Sequence, residues 1–296
     1  MAIDAKPFVK WAGGKSKLSS TILDFSSTKL DFDDFDTYME PFVGGGGMFF
    51  AVANQHNFKK KIISDNNLQL INTYKVIKEN VNGLITELDK IQNEFNALPS
   101  MDDKKEYYLF LRATFNKHLL SDNLVKQSSL LIALNKLGFN GLYRVNGKGE
   151  FNVPFGQKKT ANLYSKNNLH NVNHILQTTE IYHLDFRDTI EFVDEKTLVY
   201  IDSPYRPLPG TQAFKYQKSD FDDNDQIELA EYCQEINHRN GSFILSNSDP
   251  IQKDPNDFFF DDLYKDFDIA RIDARRSIGA TASRRGVVSE ILVIGQ

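Results

Sequence analysis

The sequence predicts an α/β fold, a sheet of short buried strands interrupted by a long helical insertion. Three observations carry that expectation. Apolar segments of strand length recur along the chain, and several end in a polar residue. Helix-period patterns lie between some of them. From about residue 68 to residue 137 that rhythm gives way to a long stretch rich in Leu, Asn and Lys, which reads as helix. Strands alternating with helices place ligands beyond the carboxyl ends of the strands.

Taken in order, "TYMEP" at 37–41 and "KIISD" at 61–65 read as the first two strands. Between them "EPFVGGGGMFF" at 40–50 leaves a strand, turns on glycines and opens a helix. The helical insertion follows. It runs into "GFNGLYRVNGKGEFNVPFG", whose glycines and asparagines mark a hairpin or extended loops. Strands resume with "EIYHLD" at 180–185, "TLVYID" at 197–202, "SFILSNS" at 242–248 and "EILVIG" at 290–295. In "DQIELAEYCQEINH", Leu229, Cys233 and Ile236 share one helix face, which makes Cys233 a core residue. An insertion between the second strand and the fourth reads as a subdomain. No internal repeat or low-complexity linker is present.

A chain of 296 residues can bury one good core plus a subdomain, or form two domains. Hydrophobic content of 41% and charged content of 25% suit a soluble globular protein. No apolar run approaches a membrane span, so no membrane association is expected. The start, "MAIDAKPFVKW", lacks the layout of a signal peptide, and a cytoplasmic location is expected. A single cysteine excludes an intrachain disulfide and a thiolate metal cluster. His56, His118, His170, His174, His183 and His238 show no ligand spacing, so no metal is expected.

The net charge of −5 argues mildly against generic nucleic-acid binding, but the charges are unevenly spread. Acidic residues crowd "LDFDDFD" and "FFFDDLYKDFD". Basic residues gather between Arg144 and Lys166, with Lys148, Lys158 and Lys159, and in "ARIDARRSIGATASRRG". A single charge run is ordinarily a solvated face. Two basic stretches with Gly and Ser between the arginines read as phosphate-tracking loops.

"PFVKWAGGKSKL" at 7–18 invites comparison with a nucleotide-binding P-loop. That motif needs a glycine, four intervening residues and then Gly-Lys-Ser/Thr. Val9 occupies the early glycine position, in an apolar run where positive φ would be strained, so the P-loop fails. The glycines of "EPFVGGGG" are a better ligand turn, because they let a ligand approach backbone amides at a helix start. Asp65 ends the next strand about twenty positions later, the usual device for ribose hydroxyls. The pair suggests an adenosine-containing cofactor. In "YIDSPY", Asp202 ends a strand, Pro204 stiffens the turn and Tyr205 offers an aromatic face.

"FVKWAGGK", "EPFVGGG", "FNGLYRVN", "FNVPFG", "DSPY" and "RRS" occur in the order and approximate spacing of the DNA adenine methyltransferase (Dam) family, from about Pro7 to the carboxyl terminus. The chain thus resembles enzymes that methylate N6 of adenine, whose best-known members act within GATC. The resemblance implies a Rossmann-like, S-adenosylmethionine-dependent methyltransferase sheet with an inserted, mainly helical target-recognition subdomain carrying a β-hairpin. Residues 1–67 and 163–296 would form the cofactor-binding catalytic domain, and 68–162 the recognition subdomain.

By resemblance, Asp202, Ser203, Pro204 and Tyr205 form the catalytic turn. The Asp202 carboxylate and the Ser203 carbonyl would accept hydrogen bonds from N6, and Tyr205 would stack on a flipped adenine. Serine stands at Ser203 where the family usually has proline; the acceptor is a backbone carbonyl, so serine still provides it. Trp11, Lys15, Pro41, Phe42, Gly44, Gly45, Gly46, Asp65, Asp185, Phe186 and Asp202 match cofactor-binding positions, with Gly13 and Gly14 allowing close approach beside Trp11. Lys10, Leu142, Arg144 and Pro154 match base-reading positions, Arg144 and Lys10 for guanine. Phe139 and Asn140 would fill the space of the flipped base, and Asn146 belongs to the same DNA-facing segment. Lys158 stands where a relative carries tyrosine. Arg275, Arg276, Arg284 and Arg285 would meet phosphates.

Duplex DNA is the implied partner, which would associate the protein with the nucleoid. No obligate protein partner is implied, and a companion restriction endonuclease is left open. Two alternatives stay open at this level: a weak or inactive sequence-specific DNA-binding protein of the same fold, and an amino-methyltransferase acting on RNA or protein.

Overall fold

The computed structural model describes residues 3–16, 18–119, 122–206, 221–275 and 287–296, with only the backbone at 273–275 and 287–288. In chain order the elements are α1 (Ser19–Ser26), β1 (Thr37–Glu40), α2 (Gly47–Gln55), β2 (Lys60–Ser64), α3 (Leu68–Ala97), α4 (Met101–Lys117) and α5 (Leu124–Leu137). Then come α6 (Lys166–Leu176), β3 (Thr179–Tyr182), β4 (Thr197–Ile201), α7 (Asp223–His238), β5 (Ser242–Ser248), α8 (Phe259–Leu263), β6 (Asp268–Arg275) and β7 (Val287–Gly295). They pack as two compact units, Met1–Ser19 with Val43–His183, and Ser20–Phe42 with Leu184–Gln296.

The first unit is built on α3, which packs against α5 and α6. Leu70, Tyr74, Ile77, Leu84, Leu88 and Phe95 recur at helical spacing along α3 and are fully buried. Each such side chain stabilises the fold by about 1.5–3 kcal/mol. Asn67 starts the helix by accepting from Leu70 N at 3.0 Å. Asn80 leaves helical geometry (φ −146, ψ 56), and its side chain accepts from Gly83 N at 3.0 Å. The chain therefore kinks and restarts on a fresh cap. A capping box between Ser100 and Asp103 opens α4. In α5 the run from Gln127 to Asn135 is buried on every side, so this helix is interior.

The hairpin expected after α5 forms with two isolated antiparallel bridges, Gly138 with Phe155 and Val145 with Phe151. Helix α4 holds it in place. Asn116 exchanges two hydrogen bonds with the Phe151 backbone, at 3.0 and 2.8 Å. Tyr108 Oη and Arg112 Nη1 both donate to Val153 O, at 2.9 and 3.1 Å. The same unit contains β2 and β3, paired in parallel.

In the second unit the strands run β1-β4-β5-β7-β6. β1, β4 and β5 are parallel neighbours, β7 is antiparallel to β5, and β6 is antiparallel to β7. Every residue of β1, β4 and β5 is buried, as continuous apolar strands covered on both faces should be. Helix α7 packs on β5, and Leu229, Cys233 and Ile236 are fully buried. The carboxyl ends of three parallel neighbours thus each carry an acid: Glu40 ends β1, Asp202 follows β4 and Asp249 follows β5.

Two expectations about elements are corrected. "EIYHLD" stops being strand at Tyr182, because the Asp185 side chain accepts from Arg187 N at 3.1 Å and caps a tight helical turn over Phe186–Phe192. "ARIDAR", read as a phosphate-tracking loop, is the strand β6. Its alternating charges hid the period-two pattern. Arg271 is neutralised there by Asp249 at 3.2 Å and Asp261 at 2.7 Å. Among the described residues no helix is long and apolar enough to cross a membrane.

Candidate functional site

In the first unit the glycine turn after β1 leads into α2. Gly44 adopts φ +48, and a Cβ there would lie 2.9 Å from Trp11 Cδ1; at Gly45 it would lie 3.0 Å from Trp11 Cβ. The indole therefore rests directly on bare backbone. Its other neighbour is Tyr143, stacked with ring centroids 5.1 Å apart. A Cβ on Gly14 would lie 3.2 Å from Trp11 O, and one on Gly13 would meet nothing within 4 Å. Lys15 is 3% exposed, and its Nζ donates to Gly13 O at 3.2 Å.

Asp65, at the end of β2, grips this turn. Its Oδ2 accepts from Gly44 N and its Oδ1 from Asn67 N, both at 2.9 Å. Burial raises its pKa, opposed by those two amides and by His183. Tyr74 Oη also donates to Gly44 O at 3.0 Å. Helix α2 has Gly46 at its N-cap and no side-chain cap, so its first amides face outward from a rigid turn. Such a turn can hold an anionic or hydroxyl-bearing ligand.

Lys10 and the hairpin lie in the same unit. Phe139 is 52% exposed and Leu142 36% exposed. Asn140 stands between them at φ +56. Arg144 is aimed by Asn152, with Nε to Oδ1 at 2.6 Å and Nη2 to O at 3.3 Å. Asn146 closes the hairpin turn: its Oδ1 accepts from Lys148 N and Glu150 N, and its Nδ2 donates to Glu150 Oε2. Pro154 is exposed and Phe139 N donates to its carbonyl at 2.9 Å. Lys158 is half-buried beyond the bridges.

In the second unit Asp202, Ser203, Pro204 and Tyr205 follow β4 directly. Asp202 is half-buried, Ser203 is 2% exposed and Pro204 is exposed. Two buried amides clamp the turn. Gln226 Nε2 donates to Pro204 O at 3.0 Å. Asn247 Nδ2 donates to Ser203 Oγ and to Gln226 Oε1, each at 3.3 Å, while Asn247 Oδ1 accepts from Arg206 N at 3.3 Å. The Ser203 hydroxyl thus has its own partner in the clamp. Tyr205 Oη donates to Glu290 Oε2 on β7 at 2.8 Å, which fixes the ring. Burial first, then the Asp202 and Glu290 charges, raise the Tyr205 pKa, so the phenol stays protonated.

Pro41 is buried after β1, and Phe42 packs on Phe186 with centroids 5.3 Å apart. Asp185 Oδ1 is bonded to Arg187 Nη1 at 2.8 Å, and the Arg187 guanidinium lies 4.4 Å over the Phe186 ring. Glu40 is 2% exposed and accepts from Tyr38 Oη at 2.6 Å. Burial lifts its carboxyl well above the ordinary value; the Tyr38 bond opposes this, and the Asp202 charge adds to it. The side chain of Arg275, at the end of β6, and the whole of Arg276, Arg284 and Arg285 lie outside the described residues.

Sequence reasoning missed Glu40, Asn247, Gln226, Glu290 and Tyr143. A signal existed for the first two, which are polar residues at the carboxyl ends of apolar strands. Gln226 and Glu290 come from a helix face and a distant strand, and no spacing links them to Asp202.

Comparison with known proteins matches residues 11–278 to the model of the D12 class N6 adenine-specific DNA methyltransferases. The chain is similar to the type II methyltransferase M.MjaIII of Methanocaldococcus jannaschii, 41% identical over 284 residues that cover 96% of each chain. It is also similar to the type II methyltransferase M1.LlaDCHI of Lactococcus lactis subsp. cremoris, 34% identical over 98% of this chain and 95% of that one. A DNA adenine methylase of Haemophilus influenzae is 33% identical over 98% of this chain and 93% of its own. With its acidic, proline-stiffened turn at the end of β4 and the match across nearly its whole length, the chain belongs to the D12 class N6 adenine-specific DNA methyltransferase family.

Proposed function

We propose that the chain transfers a methyl group from S-adenosylmethionine to N6 of adenine in duplex DNA, within GATC, with the target base turned out of the helix. The observation that carries this reading is the clamped Asp202–Tyr205 turn in a chain of this family. When bound, S-adenosylmethionine supplies an electrophilic methyl on a sulfonium sulfur. Trp11, Lys15, Pro41, Phe42, Gly44, Gly45, Gly46, Asp65, Asp185, Phe186 and Asp202 would hold it. Support for the fit comes from the bare turn at Gly44 and from the apolar surface of the Phe42–Phe186 pair.

An adenine amino group is a poor nucleophile, because its lone pair is delocalised into the ring. Asp202 and the Ser203 carbonyl accept its two N–H bonds and favour the pyramidal form. Both acceptors face the nitrogen on which positive charge grows, and Asp202 can take the proton that N6 sheds. Tyr205, held by Glu290, stacks on the base. The rest is alignment.

Residues 68–162 serve as the target-recognition subdomain. Lys10, Leu142, Arg144 and Pro154 read base edges, Phe139 and Asn140 occupy the vacated stack, and Asn146 shapes the hairpin turn. Lys158, Arg275, Arg276, Arg284 and Arg285 meet the DNA backbone. The setting is cytoplasmic, on DNA, and the type II names of two relatives favour a companion restriction endonuclease of the same specificity.

Modified-base sequencing of genomic DNA from a host expressing the protein tests the site. N6-methyladenine concentrated in GATC is expected; a mark lying mainly elsewhere rejects GATC. A tritium-transfer assay tests the chemistry. Asp202→Ala should leave cofactor binding partly intact while transfer falls at least about 100-fold. Near-normal turnover in that variant removes Asp202 from the mechanism.

A further inference from the structure

We propose that Asn135 is a specificity-positioning residue, which sets discrimination at one guanine of the site by fixing where Lys10 is presented. The inference rests on Lys10 being a guanine reader, as assigned above. A lysine is a compact charge on a flexible stem with little direction of its own. Lys10 is exposed, and an untethered lysine there would attract any phosphate or base. To tell one base from another, its backbone must be held in register with the other base-reading groups.

Asn135 supplies that register. It is 1% exposed on the interior helix α5. Its Oδ1 accepts from Lys10 N at 2.8 Å, and its Nδ2 donates to Lys10 O at 2.8 Å. The second Nδ2 proton goes to Gly141 O, also at 2.8 Å. One buried amide therefore closes both sides of the Lys10 backbone and ties them to the turn that carries Phe139, Asn140 and Leu142. Gly141 completes the contact from the other side. It adopts φ +67, and a Cβ there would lie 2.5 Å from Lys10 Cδ, so the lysine stem runs across the face of a glycine.

No other side chain reproduces this. Aspartate could accept from Lys10 N but would set a carboxylate against two carbonyls, leucine could neither accept nor donate, and glutamine is a methylene too long. Arg144, the other guanine reader, is held separately by Asn152. The two cations thus have independent anchors, and loosening one should spare the other.

The test compares kcat/KM on three duplexes in which one strand already carries N6-methyladenine, so that only the other strand accepts a methyl group: GATC, GATC with the first base pair of the acceptor strand exchanged, and GATC with its last base pair exchanged. The fraction of active enzyme cancels in each ratio, so a partly unfolded variant still reports; if turnover is lost, equilibrium binding yields the same ratios. Lys10→Ala identifies the guanine that Lys10 reads. Asn135→Asp and Gly141→Ala should then each lower discrimination at that guanine about tenfold, within the range of a good base contact. Discrimination at the other guanine should stay within about twofold. Unchanged ratios in both variants, or an equal fall at both guanines, overturn the positioning role. If Lys10→Ala alters neither ratio, the assignment of Lys10 itself fails, and the inference with it.

Discussion

Replacing Asn247 by leucine should cripple methyl transfer while leaving the chain folded. The side chain is fully buried at the end of β5, and leucine keeps its branching and its number of side-chain heavy atoms. Five hydrogen bonds disappear: to Ser203 Oγ, to Gln226 Oε1 and from Arg206 N at 3.3 Å each, from Ser248 N at 2.8 Å and from Ser248 Oγ at 3.4 Å. A neutral bond contributes about 0.5–1.5 kcal/mol net, and the four long ones belong at the low end. The amides and hydroxyl left behind are buried, which adds to the cost. Together they withdraw roughly 2–4 kcal/mol from the order of the turn. At 1.36 kcal/mol per tenfold, kcat should drop by about 30- to 1,000-fold. Single-turnover transfer to a GATC duplex measures this. Trp11 is the only tryptophan and is proposed above to hold the cofactor, so its fluorescence should follow cofactor affinity, expected to change only a few-fold. A kcat within about threefold of the parent, with only thermal stability reduced, would make Asn247 a packing residue and leave the clamp without a role in catalysis.

Three further expectations follow from the same geometry. The folded state keeps the Glu40 proton that the unfolded chain releases near the ordinary 4.5, so its stabilising contribution is complete below 4.5 and is lost as pH rises towards the raised folded value. Glu40→Gln should therefore gain on the parent by up to about 1.4 kcal/mol per pH unit above 4.5, read as a pH-dependent difference in Tm; a constant difference contradicts a buried protonated acid. Gly44→Ala, with positive φ and a Cβ 2.9 Å from Trp11, should cost about 1–2 kcal/mol of strain and weaken cofactor binding about tenfold or more, with a shifted Trp11 emission. Parent-like affinity would show that the indole gives way freely. Tyr205→Phe and Glu290→Leu should each lower kcat several-fold and fail to add when combined, because both break one bond. Additive losses would mean that Glu290 acts elsewhere.

Local chemistry was readable wherever a residue acts through its neighbours in sequence. The glycines before α2, the acid ending β4, the helical face of Leu229, Cys233 and Ile236, and the hairpin after α5 obey rules of turn, cap and period that need no partner from far away. β6 escaped because charged residues alternate with its apolar ones, and their neutralisation by Asp249 and Asp261 is invisible until the chain is folded. Asp65 was legible as a strand-end acid. That its two oxygens secure Gly44 and Asn67 was not.

Order and spacing along the chain were enough to specify the family, the strand-end acids and the glycine turn, since those features are short-range. Folding alone settled which distant groups support them. Asn247 and Gln226 around the Asp202–Tyr205 turn, Glu290 at Tyr205 and Asn135 at Lys10 are brought to their partners by strand register and helix packing across 21 to 125 residues of sequence. A hydrogen bond depends on a few ångströms in space, and separation along the chain carries no information about that distance.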